Sequence, residues 1–193
     1  GVVLLLAVIS AVAALFGRYQ EQIRDLLTVP EGPLTWQDKM RYFEGILESM
    51  WQARFLHRDL AHFLHQDAEL RRRYKVFVQD SLERGLVIYR SLRDSGLIEA
   101  SDEELRGLLV NTWVLAASWP GFTHGLNPDA TGDEALDRTL LRQGIYQIIC
   151  LEAPYLRGEA LDHLDAMKQE FRTGDTTMDL LFAASEAQPA RRA

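Results

Sequence analysis

The longest helical pattern in this sequence lies between residues 67 and 96, DAELRRRYKVFVQDSLERGLVIYRSLRDSG. Asp67 is a suitable N-cap, and Gly96 stands where a left-handed residue would end a helix. Between them, apolar side chains recur at steps of three, four and seven, which is the spacing of one face of an α-helix. The pattern predicts a helix of about eight turns. A helix this long, with so broad an apolar face, must contact other helices on at least two sides.

The segments on either side of this central helix carry the same kind of pattern. Amphipathic stretches bounded by capping residues, Pro or Gly predict further helices at residues 17–27, 36–51, 55–65, 101–119, 134–151 and 159–172. Trp119-Pro120-Gly121 should end or kink the helix at 101–119. No alternating strand pattern and no internal repeat is visible. The sequence therefore predicts an all-α protein, with a loop at 127–133 and a tail at 173–193 in which MDLLFAA could dock as one or two turns.

Charge and cysteine content narrow the class of function. The net charge is −7, and an acidic surface repels phosphate backbones, so this chain alone is not expected to grip DNA or RNA. Cys150 is the single cysteine, which excludes an internal disulfide and fits the reducing cytoplasm. The sequence has no CxxC, GxGxxG or P-loop pattern, and no Ser-His-Asp arrangement or paired carboxylate stands out. We therefore predict neither an enzyme nor a cofactor.

Residues 1–16, GVVLLLAVISAVAALF, form an apolar run interrupted by one Ser. The run is shorter than the roughly 20 residues that a membrane-spanning helix needs, and it lacks the basic segment of a signal peptide. We expect a buried or artificially joined segment. The alternative is a membrane anchor, which would make the chain a membrane-tethered helical protein.

Three histidines in the segment 55–65 raise the question of a metal site. His62 lies three residues from both Asp59 and His65, so each pair shares a helix face. His57, however, lies about 140° from His62 at about 100° per residue, so one helix cannot bring all three histidines together. We predict no metal site. A helical-bundle enzyme that uses these histidines is a further hypothesis, which metal analysis of the purified protein would test.

The order of these helices resembles the C-terminal regulatory domain of the tetracycline-repressor-type (TetR) family of transcriptional regulators. ALFGRYQEQIRDLL is similar to the helix that leaves that family's DNA-binding head. RFLHRDLAHFLHQDAELRRRYKVF is similar to the stretch that opens its long central helix. RSLRDSGLI and the capped segment SDEELRGLLVNTWVLAASW continue the similarity into the family's penultimate helix, which carries a tryptophan. Together the resemblance covers about residues 13–153.

The resemblance implies a cytoplasmic repressor that responds to a ligand and binds operator DNA as a homodimer. In this family a helix-turn-helix head precedes the regulatory domain and reads the major groove. Residues 1–16 contain no Arg, Lys, Thr or Tyr that could contact DNA, so such a head is absent or unreadable there. We therefore assign residues 1–16 to an N-terminal segment of unclear nature, 17–172 to a helical regulatory and dimerisation domain, and 173–193 to a C-terminal tail.

Aromatic and small polar residues on the predicted helices indicate where an effector could bind. Plain core packing is one interpretation, because large aromatic residues commonly fill helical cores. The other is a pocket between the central helix and its neighbours for an apolar or aromatic effector, with Gly85 and Thr112 among the small or polar residues of its wall. The residues predicted to bind the effector are Trp51, Phe55, Phe63, Ser81, Tyr89, Asn111, Trp113, Trp119 and Phe122.

The predicted helices at 101–119 and 134–151 have apolar faces wider than contact with one neighbouring helix requires. Two such helices from each of two chains would form an antiparallel four-helix bundle around a two-fold axis, and the resemblance implies the same pairing. Gly144 would permit a close approach. The residues predicted for this interface are Leu105, Leu109, Trp113, Leu136, Leu140, Leu141, Ile145, Ile148 and Ile149.

Overall fold

The computed structural model describes residues 2–126 and 134–173, which form α-helices and contain no strand. The helices are α1 (Val2–Leu26), α2 (Trp36–Gln52), α3 (Arg54–Gln66), α4 (Ala68–Asp94), α5 (Asp102–Leu126), α6 (Glu134–Glu152), α7 (Gly158–Asp162) and α8 (Leu164–Phe171). A short 3-10 turn, Ala153–Tyr155, follows α6. The all-α prediction is confirmed. The predicted loop at 127–133 and the predicted docking of the tail beyond residue 173 lie outside the described residues.

The central helix predicted from the sequence is α4. The carboxylate of Asp67 accepts hydrogen bonds from the backbone amides of Glu69 and Leu70 at 2.9 and 3.0 Å, so it caps the helix as expected. Gly96 follows the helix with φ of +77°, a left-handed conformation that favours glycine. The helix contacts α1 and α3 along its first half and α5 along its length, so it has neighbours on more than one side.

Side-chain caps determine where α2 and α5 begin. Thr35 Oγ1 accepts a hydrogen bond from the amide of Asp38 at 3.3 Å, and the Asp38 carboxylate accepts one from the amide of Thr35 at 2.7 Å. Ser101 and Glu104 form the same reciprocal pair at 3.2 and 2.8 Å. Each pair is a capping box, and a cap of this kind contributes about 1 kcal/mol.

Trp119-Pro120-Gly121 does not end α5, so the predicted end is wrong, whereas the predicted kink stays a prediction. The helix continues to Leu126 with Pro120 buried inside it, although proline has no N–H to donate to the preceding turn. Side-chain hydrogen bonds hold this segment in place. The indole of Trp119 donates to the carbonyl of Leu140 on α6 at 2.7 Å, and the hydroxyl of Thr123 donates to the carbonyl of Trp119 at 3.0 Å.

The single helix predicted at 159–172 is also wrong, because the structure has α7 and α8 there. The residue between them, His163, has φ of −101° and ψ of 9°, which is not a helical conformation. Its ring stacks on the ring of Trp36 with centroids 4.1 Å apart. The break therefore places His163 against the start of α2.

The apolar run at the N-terminus is continuous with the helix predicted at 17–27, and together they form α1. Phe16, at the end of the run, is buried and contacts the edge of Phe77 with ring centroids 5.5 Å apart. Among the described residues no helix, α1 included, combines the length and apolar content needed to cross a bilayer.

Two clusters of buried side chains form the interior. The larger, which we call the main core, lies between α2, the second half of α4, α5, α6 and α8 and includes Phe43, Leu92, Leu105, Ile145, Ile148 and Phe171. The smaller, which we call the α1 core, lies between α1, α3 and the first half of α4 and includes Phe16, Tyr19, Ile23, Leu56, Leu70 and Phe77. The candidate site lies where the two cores meet.

Candidate ligand-binding cavity

A mostly apolar cavity of about 110 Å³ separates the main core from the α1 core. This is somewhat smaller than the roughly 150 Å³ engineered cavity that holds benzene in a protein interior. Five helices of the described structure line it: α1 with Tyr19, Ile23 and Leu26, followed by Leu27; α2 with Lys39, Tyr42, Phe43, Ile46, Ser49 and Met50; α4 with Ser81, Gly85, Ile88, Tyr89 and Leu92; α5 with Leu109, Thr112, Trp113, Ala116 and Ala117; and α6 with Glu152.

Small residues on α4 and α5 leave this space between the helices. Ser81 and Gly85 lie one turn apart on α4, and Ala116 and Ala117 line the facing part of α5. At Gly85 a Cβ atom would lie 2.6 Å from a methyl carbon of Leu109, so a larger residue would push that side chain aside. The cavity therefore depends on side-chain volume at a few positions.

A buried chain of hydrogen bonds forms part of the cavity wall. The ammonium of Lys39 donates to one oxygen of the Glu152 carboxylate at 2.5 Å, and the hydroxyl of Tyr89 donates to the other at 2.6 Å. The Tyr89 oxygen also lies 3.1 Å from Oγ1 of Thr112. Because a carboxylate only accepts, the Tyr89 proton points to Glu152, and Thr112 must donate to Tyr89. Glu152 thus determines which group donates in each of these hydrogen bonds.

The ion pair in this chain is shielded from water. Lys39 is 2% exposed and Glu152 is 3% exposed. Burial, reinforced by the neighbouring Glu152 carboxylate, holds the pKa of Tyr89 well above 10, so the phenol stays protonated and remains a donor. A buried ion pair adds little net stability, because the loss of hydration opposes the attraction between the charges. The pair therefore matters chiefly for what it presents to the cavity.

The structure brings some of the predicted effector-binding residues to the cavity. Ser81, Tyr89 and Trp113 line it, together with Gly85 and Thr112. The other predicted residues lie elsewhere: Phe55, Phe122 and Asn111 are exposed, Trp51 lies under the guanidinium of Arg54 at 3.9 Å, Phe63 packs against the α1 core, and Trp119 bonds to α6.

Lys39 and Glu152 were missed in the sequence, although each interrupts an apolar face. Lys39 precedes Phe43 by four residues, and Glu152 follows Ile148 by four. A charged residue at such a position must be paired if it is buried, so a charge on an apolar face predicts a buried ion pair. Their separation of 113 residues gives no local indication that they pair with each other.

Most residues predicted for a dimer interface lie inside the main core. Leu105, Ile145 and Ile148 are 0% exposed, and Leu140, Leu141 and Ile149 are also buried. The reason is that α6 packs on α2, α5 and α8 of its own chain. Leu109, Trp113 and Leu136 are partly buried, the first two at the cavity. The exposed apolar residues of α5 lie on another face and are 46–54% exposed: Val110, Val114, Phe122 and Leu126.

His57 lies beside the cavity, at the junction of α1, α3 and α5. Its ring meets that of Tyr19 edge-on at 5.1 Å, and neither ring nitrogen has a hydrogen-bond partner among the described residues. Burial lowers the pKa of His57 to about 4, and the backbone of Ala117 offsets part of that shift without reaching hydrogen-bond geometry. His62 and His65 are exposed. Residues 2–126 and 134–173 contain no group of three His, Cys, Asp or Glu side chains that could hold a metal ion.

Comparisons with known proteins agree with this architecture. The model of the TetR family, described as a bacterial transcriptional repressor, matches residues 18–164. A crystal structure of a TetR-family transcriptional regulator from Marinobacter aquaeolei VT8 is 31% identical, with a TM-score of 0.71, and the match covers 85% of this chain and 77% of that chain. No curated protein matches the chain.

Proposed function

This chain belongs to the TetR family of transcriptional regulators, and we propose that it is a ligand-responsive cytoplasmic repressor whose effector binds in the cavity between the main core and the α1 core. Regulators of this family generally bind DNA and act as dimers. The observation that carries the proposal is that α1 forms one wall of the cavity, through Tyr19, Ile23 and Leu26.

A ligand in this cavity would contact α1 directly. Tyr19 and Ile23 belong to the α1 core and also face the cavity, so any ligand larger than the free space must displace them or the facing helices. A ligand shifts α1 only by binding one arrangement of the helix more tightly than another. In this family the helix corresponding to α1 leaves the helix-turn-helix head. We propose that movement of α1 couples the effector to the release of operator DNA.

Filling the cavity tests this effector site. Ala116→Leu adds a branched side chain to the α5 wall, and Ala61→Leu adds the same atoms at an exposed position of α3. With acetophenone as the probe, we expect calorimetric affinity to fall roughly tenfold or more for the first variant and to stay unchanged for the second. A folded Ala116→Leu protein that binds acetophenone as tightly as the parent would place the site elsewhere.

We further propose that the chain forms a homodimer through the outer face of α5, with α6 beside it. Val110, Val114, Phe122 and Leu126 recur at multiples of four residues, so they lie along one exposed apolar stripe that winds around α5 by about 40° at each step of four. The small residues Gly107, Ser118 and Gly125 are exposed on the same helix and would let a partner helix approach closely. An exposed apolar stripe of this kind is more typical of an interface than single scattered residues are.

An arginine in this stripe tests the dimer. Val114→Arg would bury an unpaired charge in each chain, and we expect monomers or aggregates by light scattering. Val87→Arg makes the same change at an exposed position of α4 and should leave the dimer intact. Ile145→Arg would test folding instead, because Ile145 is fully buried within one chain. A monomeric parent, or a dimeric Val114→Arg protein, would contradict the proposed interface.

A further inference from the structure

The hydrogen-bonded wall of the cavity carries information about the chemistry of the ligand. We propose that the effector is an uncharged, mostly hydrocarbon molecule with one hydrogen-bond-accepting oxygen, such as the carbonyl of a ketone, aldehyde or ester, and that Lys39 binds this oxygen. The inference rests on the proposed function, because it assumes that the cavity is the effector site.

The charges that face the cavity cancel. Among the described residues, Lys39 and Glu152 are the charged ones that line the cavity, and they form an ion pair with a 2.5 Å contact. A carboxylate ligand would bring a second negative charge close to Glu152, and an ammonium ligand would bring a second positive charge close to Lys39. An uncompensated charge is strongly unfavourable in a site shielded from water. The cavity therefore discriminates against both kinds of ion.

Lys39 has unused hydrogen-bond donors. An ammonium group has three N–H donors, and within the described residues Lys39 uses one of them, toward Glu152. Both oxygens of Glu152 already accept a hydrogen bond, and the protons of Tyr89 and Thr112 are directed along the chain toward Glu152. An oxygen that accepts from Lys39 is therefore the ligand group that complements this wall.

A second polar group faces the same space. The hydroxyl of Ser81 lines the cavity from α4 and forms no hydrogen bond within residues 2–126 and 134–173. It can donate to the same oxygen. The rest of the wall is hydrocarbon or aromatic, with Ile23, Ile88 and Trp113 among its members, and so it fits an alkyl or aryl body.

Four ligands of similar size test the inference on the parent protein, with no substitution needed. Acetophenone has the carbonyl, ethylbenzene lacks it, phenylacetate is an anion and 2-phenylethylammonium is a cation. In calorimetric titrations of the full chain at pH 7, we expect acetophenone to bind roughly tenfold or more tightly than each of the other three. For acetophenone against ethylbenzene, this ratio is what one hydrogen bond to a charged donor provides.

A paired substitution assigns the preference to Lys39. Lys39→Met combined with Glu152→Gln removes both charges at once and keeps an amide oxygen that can accept from Tyr89. We expect this variant to lose most of the preference for acetophenone, because only Ser81 of the two proposed donors remains, and to keep the ethylbenzene affinity unchanged. The matched control is Glu48→Gln combined with Arg138→Met, which removes an exposed 3.4 Å ion pair between the same two helices, α2 and α6. The control should keep the preference of the parent.

The outcomes separate this inference from the proposed function. Tightest binding of phenylacetate or 2-phenylethylammonium, blocked by Ala116→Leu, would overturn the ligand class and leave the effector cavity in place. Equal binding of acetophenone and ethylbenzene by the parent would overturn the role of Lys39. Failure of the parent to bind any of the four compounds would overturn both the effector cavity and the ligand class.

Discussion

The main core and the α1 core meet at one cavity but are built differently. The main core takes side chains from α2, α4, α5, α6, α7 and α8, and both carboxylate oxygens of Glu152, the partner of Lys39, accept a hydrogen bond. The α1 core joins α1, α3 and α4 through edge-on aromatic contacts and contains His57, whose ring nitrogens have no partner in the described structure. The α1 core, which contains the helix that would carry the signal, is thus packed against fewer elements. We therefore expect it to rearrange at a lower cost in free energy than the main core.

Among the substitutions that test this comparison, breaking the ion pair of the main core should change the free energy of unfolding most. Glu152→Gln leaves the buried ammonium of Lys39 without an opposite charge, and we expect a loss of about 3–5 kcal/mol in the free energy of unfolding. Glu48→Gln removes the same group from the exposed pair with Arg138 and should cost at most about 1 kcal/mol. Urea unfolding measures both. Equal, small losses would show that water reaches the buried pair.

Acid should weaken the α1 core through His57, with an intermediate effect. The pKa of His57 is about 4 in the folded chain, below its ordinary value of 6.5. Between these values the unfolded chain binds a proton that the folded chain does not, so stability is full above pH 6.5 and falls as the pH falls toward 4. We expect a loss of about 2 kcal/mol between pH 8 and pH 5.

The control for that prediction is His57→Leu, which has no titrating ring. Urea unfolding at pH 8 and pH 5 should show a smaller pH dependence for this variant than for the parent, by the same about 2 kcal/mol. If the two proteins lose equal stability on acidification, other groups cause the change and the α1 core is not the acid-sensitive region.

Two conservative substitutions should give the smallest effects and separate the cores by location. Phe77→Leu removes edge-on contacts with Phe16 and Tyr19, each worth about 0.5–1.5 kcal/mol. Ile148→Val removes one methyl group from the main core and should cost about 0.5–1.5 kcal/mol. We expect the first to speed amide hydrogen exchange mainly in α1 and α3, and the second mainly in α6. A uniform increase in both proteins would mean that the two cores open as one unit.

Part of the candidate site could be predicted from the sequence. Particular residues show why the rest could not. Ser81, Tyr89 and Trp113 were found because small, polar or aromatic side chains on the central helix and its neighbour face whatever lies between them. Trp51, Phe55 and Phe122 carry the same chemistry but point elsewhere, since aromatic character does not specify direction. Lys39 and Glu152 come from helices that are far apart in the chain, and only the packing of these helices makes the two residues partners.

The sequence by itself determined most of the helices, their order and the N-cap of α4, because these depend on side-chain spacing and on hydrogen bonds between residues a few positions apart. It also showed which faces are apolar, but an apolar face does not state what covers it. Ile145 and Ile148 were predicted to meet a second chain, and the tertiary structure buries them against α2, α5 and α8 of their own. Likewise, the local rule for proline predicted an end or a kink at Pro120, and the helix does not end there, since Trp119 bonds to α6 and the helix continues to Leu126. Only the tertiary structure decided the cavity and its ion pair, because both arise between residues that are far apart in the chain.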